Sequence, residues 1–128
     1  MMPDEKKGVR IFKNAWFRRF ARRERISEEA LKEAIIRAEQ GRIDADLGGN
    51  VLKQRIARPG EGKSGGYRTI IVFKKGELAF FVYGFAKSER ENIDDVEAVA
   101  FKMAAKELVS LSEEQIEQLL DKGALTEI

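Results

Sequence analysis

The chain has 128 residues, the size of one ordinary domain built on one hydrophobic core. It contains no cysteine and no histidine, which excludes disulfides, thiolate metal sites and the commonest neutral-pH general base; acid–base chemistry would fall to Lys, Tyr, Asp or Glu, with Arg stabilising charge. The net charge of +2 hides a segregation: residues 9–26 and 50–90 each carry +6, residues 27–49 carry −3 and residues 91–128 carry −7, so a basic surface for a polyanion is expected.

The opening MMPDEKKG lacks the apolar stretch of a signal peptide, and no run of 18 apolar residues occurs, so a cytoplasmic protein with no membrane association is expected. With only Pro3 and Pro59, no internal repeat and no low-complexity linker, residues 1–128 read as a single domain with a flexible N-terminus over about residues 1–8. "VRIF" (Val9 to Phe12) alternates as a short first strand. Asn14 can cap a helix whose apolar stripe is Trp16, Phe17, Phe20 and Ala21, with the Trp16/Phe20 pair in the core. Arg18, Arg19, Arg22, Arg23 and Arg25 crowd the rest, and contact with RNA, solubility and pairing with the acidic C-terminal helices all explain them. Ser27, Glu28 and Glu29 start a second helix that buries Leu31, Ala34, Ile35 and Ala38 and ends at Gly41.

From Asn50 the period becomes two. In "VLKQRIAR", Leu52, Gln54 and Ile56 share one face, while Lys53 and Arg55 stand side by side on the other. "YRTIIVFKK" and "LAFFVYGF" are strands joined through Lys74, Lys75, Gly76 and Glu77. The second is apolar on both faces and belongs at the centre of the sheet, with Phe80, Phe81, Tyr83 and Phe85 packed. The remainder is helical, with start signals at Ser88, Asp94 and Ser112. Val96, Val99, Ala100, Met103 and Ala104 are the expected inner stripe of the main helix; Ile116, Leu119 and Leu120 are that of the last. The order β-α-α-β-β-β-α-α implies an α+β domain: a small, mainly antiparallel sheet packed against an N-terminal helical hairpin and C-terminal helices.

Between the second and third strands, Ala57 with Gly62-Lys63-Ser64 fits the loose pattern [A/G]-x-x-x-x-G-K-[S/T] of nucleotide-binding loops. Such a loop needs a helix after Lys-Ser whose N-terminal amides meet the phosphates, and here Gly65, Gly66 and a strand follow. A basic loop for nucleic-acid phosphate, flanked by Lys53, Arg55, Arg58 and Arg68, is the alternative with chemistry in it.

The run "LKQRIARPGEGKSGGYRTIIVF" followed by "FFVYGFAKSERENI" closely resembles the HigB-like branch of the RelE/ParE superfamily, the toxins of bacterial type II toxin–antitoxin modules. The resemblance implies the RelE fold, a metal-independent endoribonuclease without cofactors that cuts mRNA on the ribosome, and inhibition by a cognate antitoxin, a helix-turn-helix protein from the adjacent gene. In that reaction the 2′-hydroxyl attacks its own phosphate, which calls for a proton acceptor, positive charge on the phosphate and a proton donor for the 5′ oxygen. Carried over by position, Lys53, Arg55, Arg68, Lys87 and Arg90 form the catalytic set, and Arg58, Lys63, Tyr67 and Lys74 hold RNA. The tyrosine that RelE-type enzymes carry near the C-terminal end of the site has no counterpart, because Ile93 or Asp94 stands there. Two other readings stay open: a ParE-like inhibitor of DNA gyrase, and a degenerate member that only binds an antitoxin.

Overall fold

A computed structural model of the chain describes residues 8–58 and 62–128, with residues 62–64 described by their backbone alone. The expected flexible N-terminus up to residue 7, the loop tip at residues 59–61 and the Lys63 side chain lie outside the described residues. The elements run β1 (Arg10–Asn14), α1 (Ala15–Glu24), α2 (Glu28–Glu39), β2 (Ala45–Gly48), β3 (Val51–Arg58), β4 (Gly62–Lys74), β5 (Leu78–Ala86), α3 (Asp95–Val109), α4 (Glu113–Asp121) and β6 (Leu125–Glu127). They form one six-stranded sheet in the order β2-β3-β4-β5-β1-β6, parallel only between β1 and β5. The α+β class, the helical hairpin and the central place of β5 agree with the sequence.

Local chemistry sets the element ends. Asn14, Ser27, Asp94 and Ser112 each accept a hydrogen bond from a backbone N–H in the first turn of the following helix, and the last two form full capping boxes. Ser88, the third start signal, lies in a turn instead. Two short strands were not foreseen. β2 folds back on β3 through Gly48, Gly49 and Asn50, all at positive φ, and β6 is three residues whose strand character comes from pairing with β1.

The sheet is covered on both faces. Phe17, Phe20, Leu31, Ala34 and Ile35 of α1 and α2 pack against Leu52, Ile56, Tyr67, Ile71 and Phe81 on one face. Phe12, Val51, Ile70, Val72 and Phe80 on the other face pack against Ala105 of α3 and Ile116 of α4. Among the described residues, no helix is long and apolar enough to cross a membrane.

Two expected core assignments are corrected. On α3 the stripe that faces the sheet carries Phe101, Ala105 and Leu108, while Val96, Val99 and Met103 are 79%, 56% and 66% exposed, and Ala100 and Ala104 are exposed with them. Both stripes have helical spacing; the sheet takes the one whose aromatic Phe101 reaches the ring of Tyr83 and whose small Ala105 allows close approach. Trp16 is 36% exposed at the sheet margin, although Phe20 beside it is buried.

Candidate nucleic-acid interface

Buried polar residues fix β3 from behind. Gln54, almost fully buried, donates from Nε2 to the carbonyls of Ala34 and Arg42. Arg37 of α2 donates to the carbonyl of Arg55 at 2.8 Å and is held by Glu33. With Leu52, Gln54 and Ile56 bound to the hairpin side, alternation turns Lys53 and Arg55 to the α3 side. Arg55 pairs with Arg68 on β4, and Arg68 with Phe85 on β5; Lys53 pairs with Ile70, and Ile70 with Tyr83. Directly opposed residues share a face, so Lys53, Arg55, Arg68, Tyr83 and Phe85 look out the same way.

The three cations converge on one carboxylate, Asp44, just before β2. Its Oδ1 accepts from Arg55 Nε at 2.9 Å, and its Oδ2 lies 3.5 Å from Arg68 Nε and 3.7 Å from Lys53 Nζ. Arg68 is buried to 6% exposure, whereas the Arg55 side chain is 45% exposed. Lys53 also donates to Asn92 Oδ1 at 3.1 Å, tying the cluster to the turn before α3.

Arg90 borders the group with its donors largely engaged. Its Nη1 donates to the Tyr83 hydroxyl at 2.9 Å and to Glu97 at 3.0 Å, its Nη2 pairs with the second Glu97 oxygen, and its Nε donates to the Asn92 carbonyl. The bond to Glu97 holds the Arg90 guanidinium well above its ordinary range, and Arg90, with the Asp94 N–H, holds the Glu97 carboxyl below its own. Arg90 thereby fixes Tyr83 and the turn, and its guanidinium lies over the Tyr83 and Phe85 rings.

The remaining expected residues do not gather here. Tyr67, expected to hold RNA, faces the helical hairpin, is 2% exposed and donates its hydroxyl to Glu24 at 3.0 Å, so in this fold it packs in the core on the face away from the cluster. Arg58 is on that same face, its guanidinium over the Tyr67 ring. Lys74 pairs with Glu77 at the far hairpin, roughly 20 Å along β4 from Arg68. Lys87 follows β5, half-buried, with its backbone N–H bonded to Gly66 and no side-chain ion pair among the described residues. Among the described residues, the α1 arginines form no ion pair with the acidic C-terminal helices: Arg18 donates to the Gly123 carbonyl and to Thr126, and Arg23 pairs with Glu24.

Sequence reasoning missed Asp44, Asn92 and Glu97. The Gly48-Gly49-Asn50 turn was the available signal for Asp44, because a hairpin there brings the residues before β2 alongside β3. Asn92 left no signal beyond its closeness to Arg90 in the chain; Glu97 is legible as the capping partner of Asp94, but its bond to Arg90 is not.

A sheet face with clustered cations, an open margin and aromatic rings alongside is suited to a phosphodiester chain. No curated protein matches the chain. A family model described as the RelE toxin of the RelE/RelB toxin–antitoxin system matches residues 9–128, nearly the whole length. On that match, and with a sheet and helices arranged as the RelE fold requires, the chain belongs to the RelE toxin family.

Proposed function

We propose that this toxin is a ribosome-dependent mRNA endonuclease of the HigB-like branch, acting in the cytoplasm and restrained by a helix-turn-helix antitoxin. The observation that carries the reading is the convergence of Lys53, Arg55 and Arg68, from two adjacent strands, on a single anionic position held by Asp44. A phosphate oxygen entering that position meets two guanidinium groups and an ammonium already oriented, the arrangement that stabilises a pentacoordinate phosphate.

The chemistry follows from these groups. Arg55 and Arg68 take the non-bridging oxygens and release Asp44, leaving it free to accept a proton. The 2′-oxygen bonds to phosphorus, its proton passes to the Asp44 carboxylate, the bond from phosphorus to the 5′ oxygen breaks, and Lys53 protonates that oxygen. The products are a 2′,3′-cyclic phosphate and a 5′-hydroxyl. Lys87 remains a second candidate for proton transfer, from the end of β5.

Primer-extension mapping of messages after induction, with and without translating ribosomes, tests this. Cuts within translated messages that vanish when ribosomes are blocked are expected. Intact messages accompanied by an early loss of DNA supercoiling would replace the nuclease with a gyrase inhibitor, and intact messages with no growth defect would leave an antitoxin-binding member without catalysis.

A further inference from the structure

Trp16 belongs to a ladder of rings and cations that the cluster around Asp44 does not use. Asn14 ends β1 and caps α1, and its Nδ2 donates to the Val82 carbonyl, so the place beside the second half of β5 is taken by the start of α1. The indole there stacks on Phe20 at 5.3 Å between ring centres and lies 4.6 Å from the ring of Tyr83, which leads to Phe85 and Arg90. The indole keeps 36% of its surface exposed beside these two rings, an apolar face open to solvent at the sheet margin.

The rim of this surface is cationic. Arg19 and Arg23, three and seven residues beyond Trp16, share its helical face, and both are exposed. Arg23 lies over the Phe20 ring, and Arg19 forms no ion pair among the described residues. Arg68 is one strand from Phe85, and Tyr83 is in contact with Trp16, which puts the indole about 10 Å across the sheet from Arg68 and roughly 15–20 Å from Asp44 on the far side of β3, a gap that a few nucleotides of single strand cover. An apolar protein segment would not call for arginines on both sides; a nucleobase between phosphates does.

We infer that Trp16 is the stacking platform for a base of single-stranded RNA a few nucleotides along from the phosphate held by Arg55 and Arg68, with Arg19 and Arg23 on the phosphates beyond. This rests on the RNA-binding part of the function proposed above, and not on cleavage.

Trp16 is the chain's single tryptophan, so its fluorescence reports this surface alone. The full-length protein is titrated at low ionic strength with a short single-stranded oligoribonucleotide and with the same oligonucleotide made abasic, while anisotropy of a labelled strand reads binding independently. Saturable quenching by the first is expected, with the abasic strand binding roughly tenfold more weakly and quenching little. Trp16→Ala should weaken binding of the base-bearing strand by a similar factor, and Trp16→Phe should retain most of it. Binding by anisotropy with an unquenched indole, and equal affinity in Trp16→Ala, would overturn the inference while leaving the nuclease reading intact. Quenching with uncut messages would do the reverse. No binding of RNA by the wild type would overturn the inference, whereas the ribosome-dependent nuclease reading is decided by the message mapping alone, and loss of antitoxin capture by Trp16→Ala at unchanged RNA affinity would make this a protein-binding surface instead.

Discussion

The carboxylate of Asp44, ahead of β2, faces the buried guanidinium of Arg68 two strands away on β4, with Oδ2 3.5 Å from Nε. One carboxylate thus serves as counter-ion to the cluster and stands where a substrate phosphate would compete for it. Asp44→Asn should therefore act with two signs. Affinity for an oligoribonucleotide rises several-fold, with a steeper salt dependence, because a competing anion is gone. Message cleavage falls at least tenfold through the lost proton acceptor, and stability falls by about 1–2 kcal/mol. Affinity and cleavage falling together would mark Asp44 as a purely structural residue.

Arg68→Ala and Arg55→Ala should each reduce message cleavage by about 10²–10³-fold, the usual consequence of removing one preorganised charge from a transition state. Arg68→Lys, which keeps the charge without the planar fork, separates lost chemistry from lost folding. Lys74→Ala, at the far hairpin, should cut as the wild type does; the comparison is made on messages mapped in induced cells.

Tyr67→Phe removes a hydroxyl bonded to Glu24 on the helical-hairpin side. A loss of about 1 kcal/mol in denaturant unfolding is expected, with cleavage unchanged. Reduced cleavage at unchanged stability would place Tyr67 in contact with substrate.

Gly84 lies under α1, and a Cβ there would stand 2.7 Å from a Phe20 ring carbon and 3.2 Å from one of Phe17. Gly84→Ala should cost about 1–3 kcal/mol through overpacking. Because Phe20 carries Trp16, the intrinsic fluorescence of the folded protein should shift as well.

Arg10 bonds Glu127, joining β1 to β6, and the hydrogen bond holds the Glu127 carboxyl below its ordinary value of 4.5. A carboxyl lowered in the folded state stabilises above that ordinary value, and its contribution is lost as the pH falls through the lowered one. Wild type and Glu127→Gln should differ by less than about 1 kcal/mol at neutral pH, because the pair is partly exposed. Their stabilities, followed by urea unfolding, should converge as the pH drops below 4.5; a gap that widens on acidification contradicts the assignment.

The separation of Arg58 and Tyr67 from the cation cluster was legible in the chain. Tyr67 and Arg68 are neighbours on a strand, and so must look to opposite faces; Gln54, Ile56 and Arg58 alternate with Lys53 and Arg55 for the same reason. Charge alone groups all of them around the glycine-rich loop, whereas the two-residue period divides them between two faces. The α3 stripe is a different case: two stripes with helical spacing lie on one helix, and nothing local ranks them. Only the groove above Tyr83 and Ile70 prefers Phe101 and Ala105.

What the sequence by itself determined is what depends on near neighbours: helix starts at Asn14, Ser27, Asp94 and Ser112, the hairpin at Gly76, the paired Lys53 and Arg55, and the arginine on the following strand. Caps, turns and alternation act over a few residues, so they can be read without knowing the rest of the chain. The tertiary structure decided what depends on register between distant segments. It brought Asp44 among three cations, set Trp16 against Tyr83 where β1 stops, and made a strand of Leu125–Glu127 by pairing it with β1. Those contacts follow from how a six-stranded sheet aligns its strands, which no local pattern encodes.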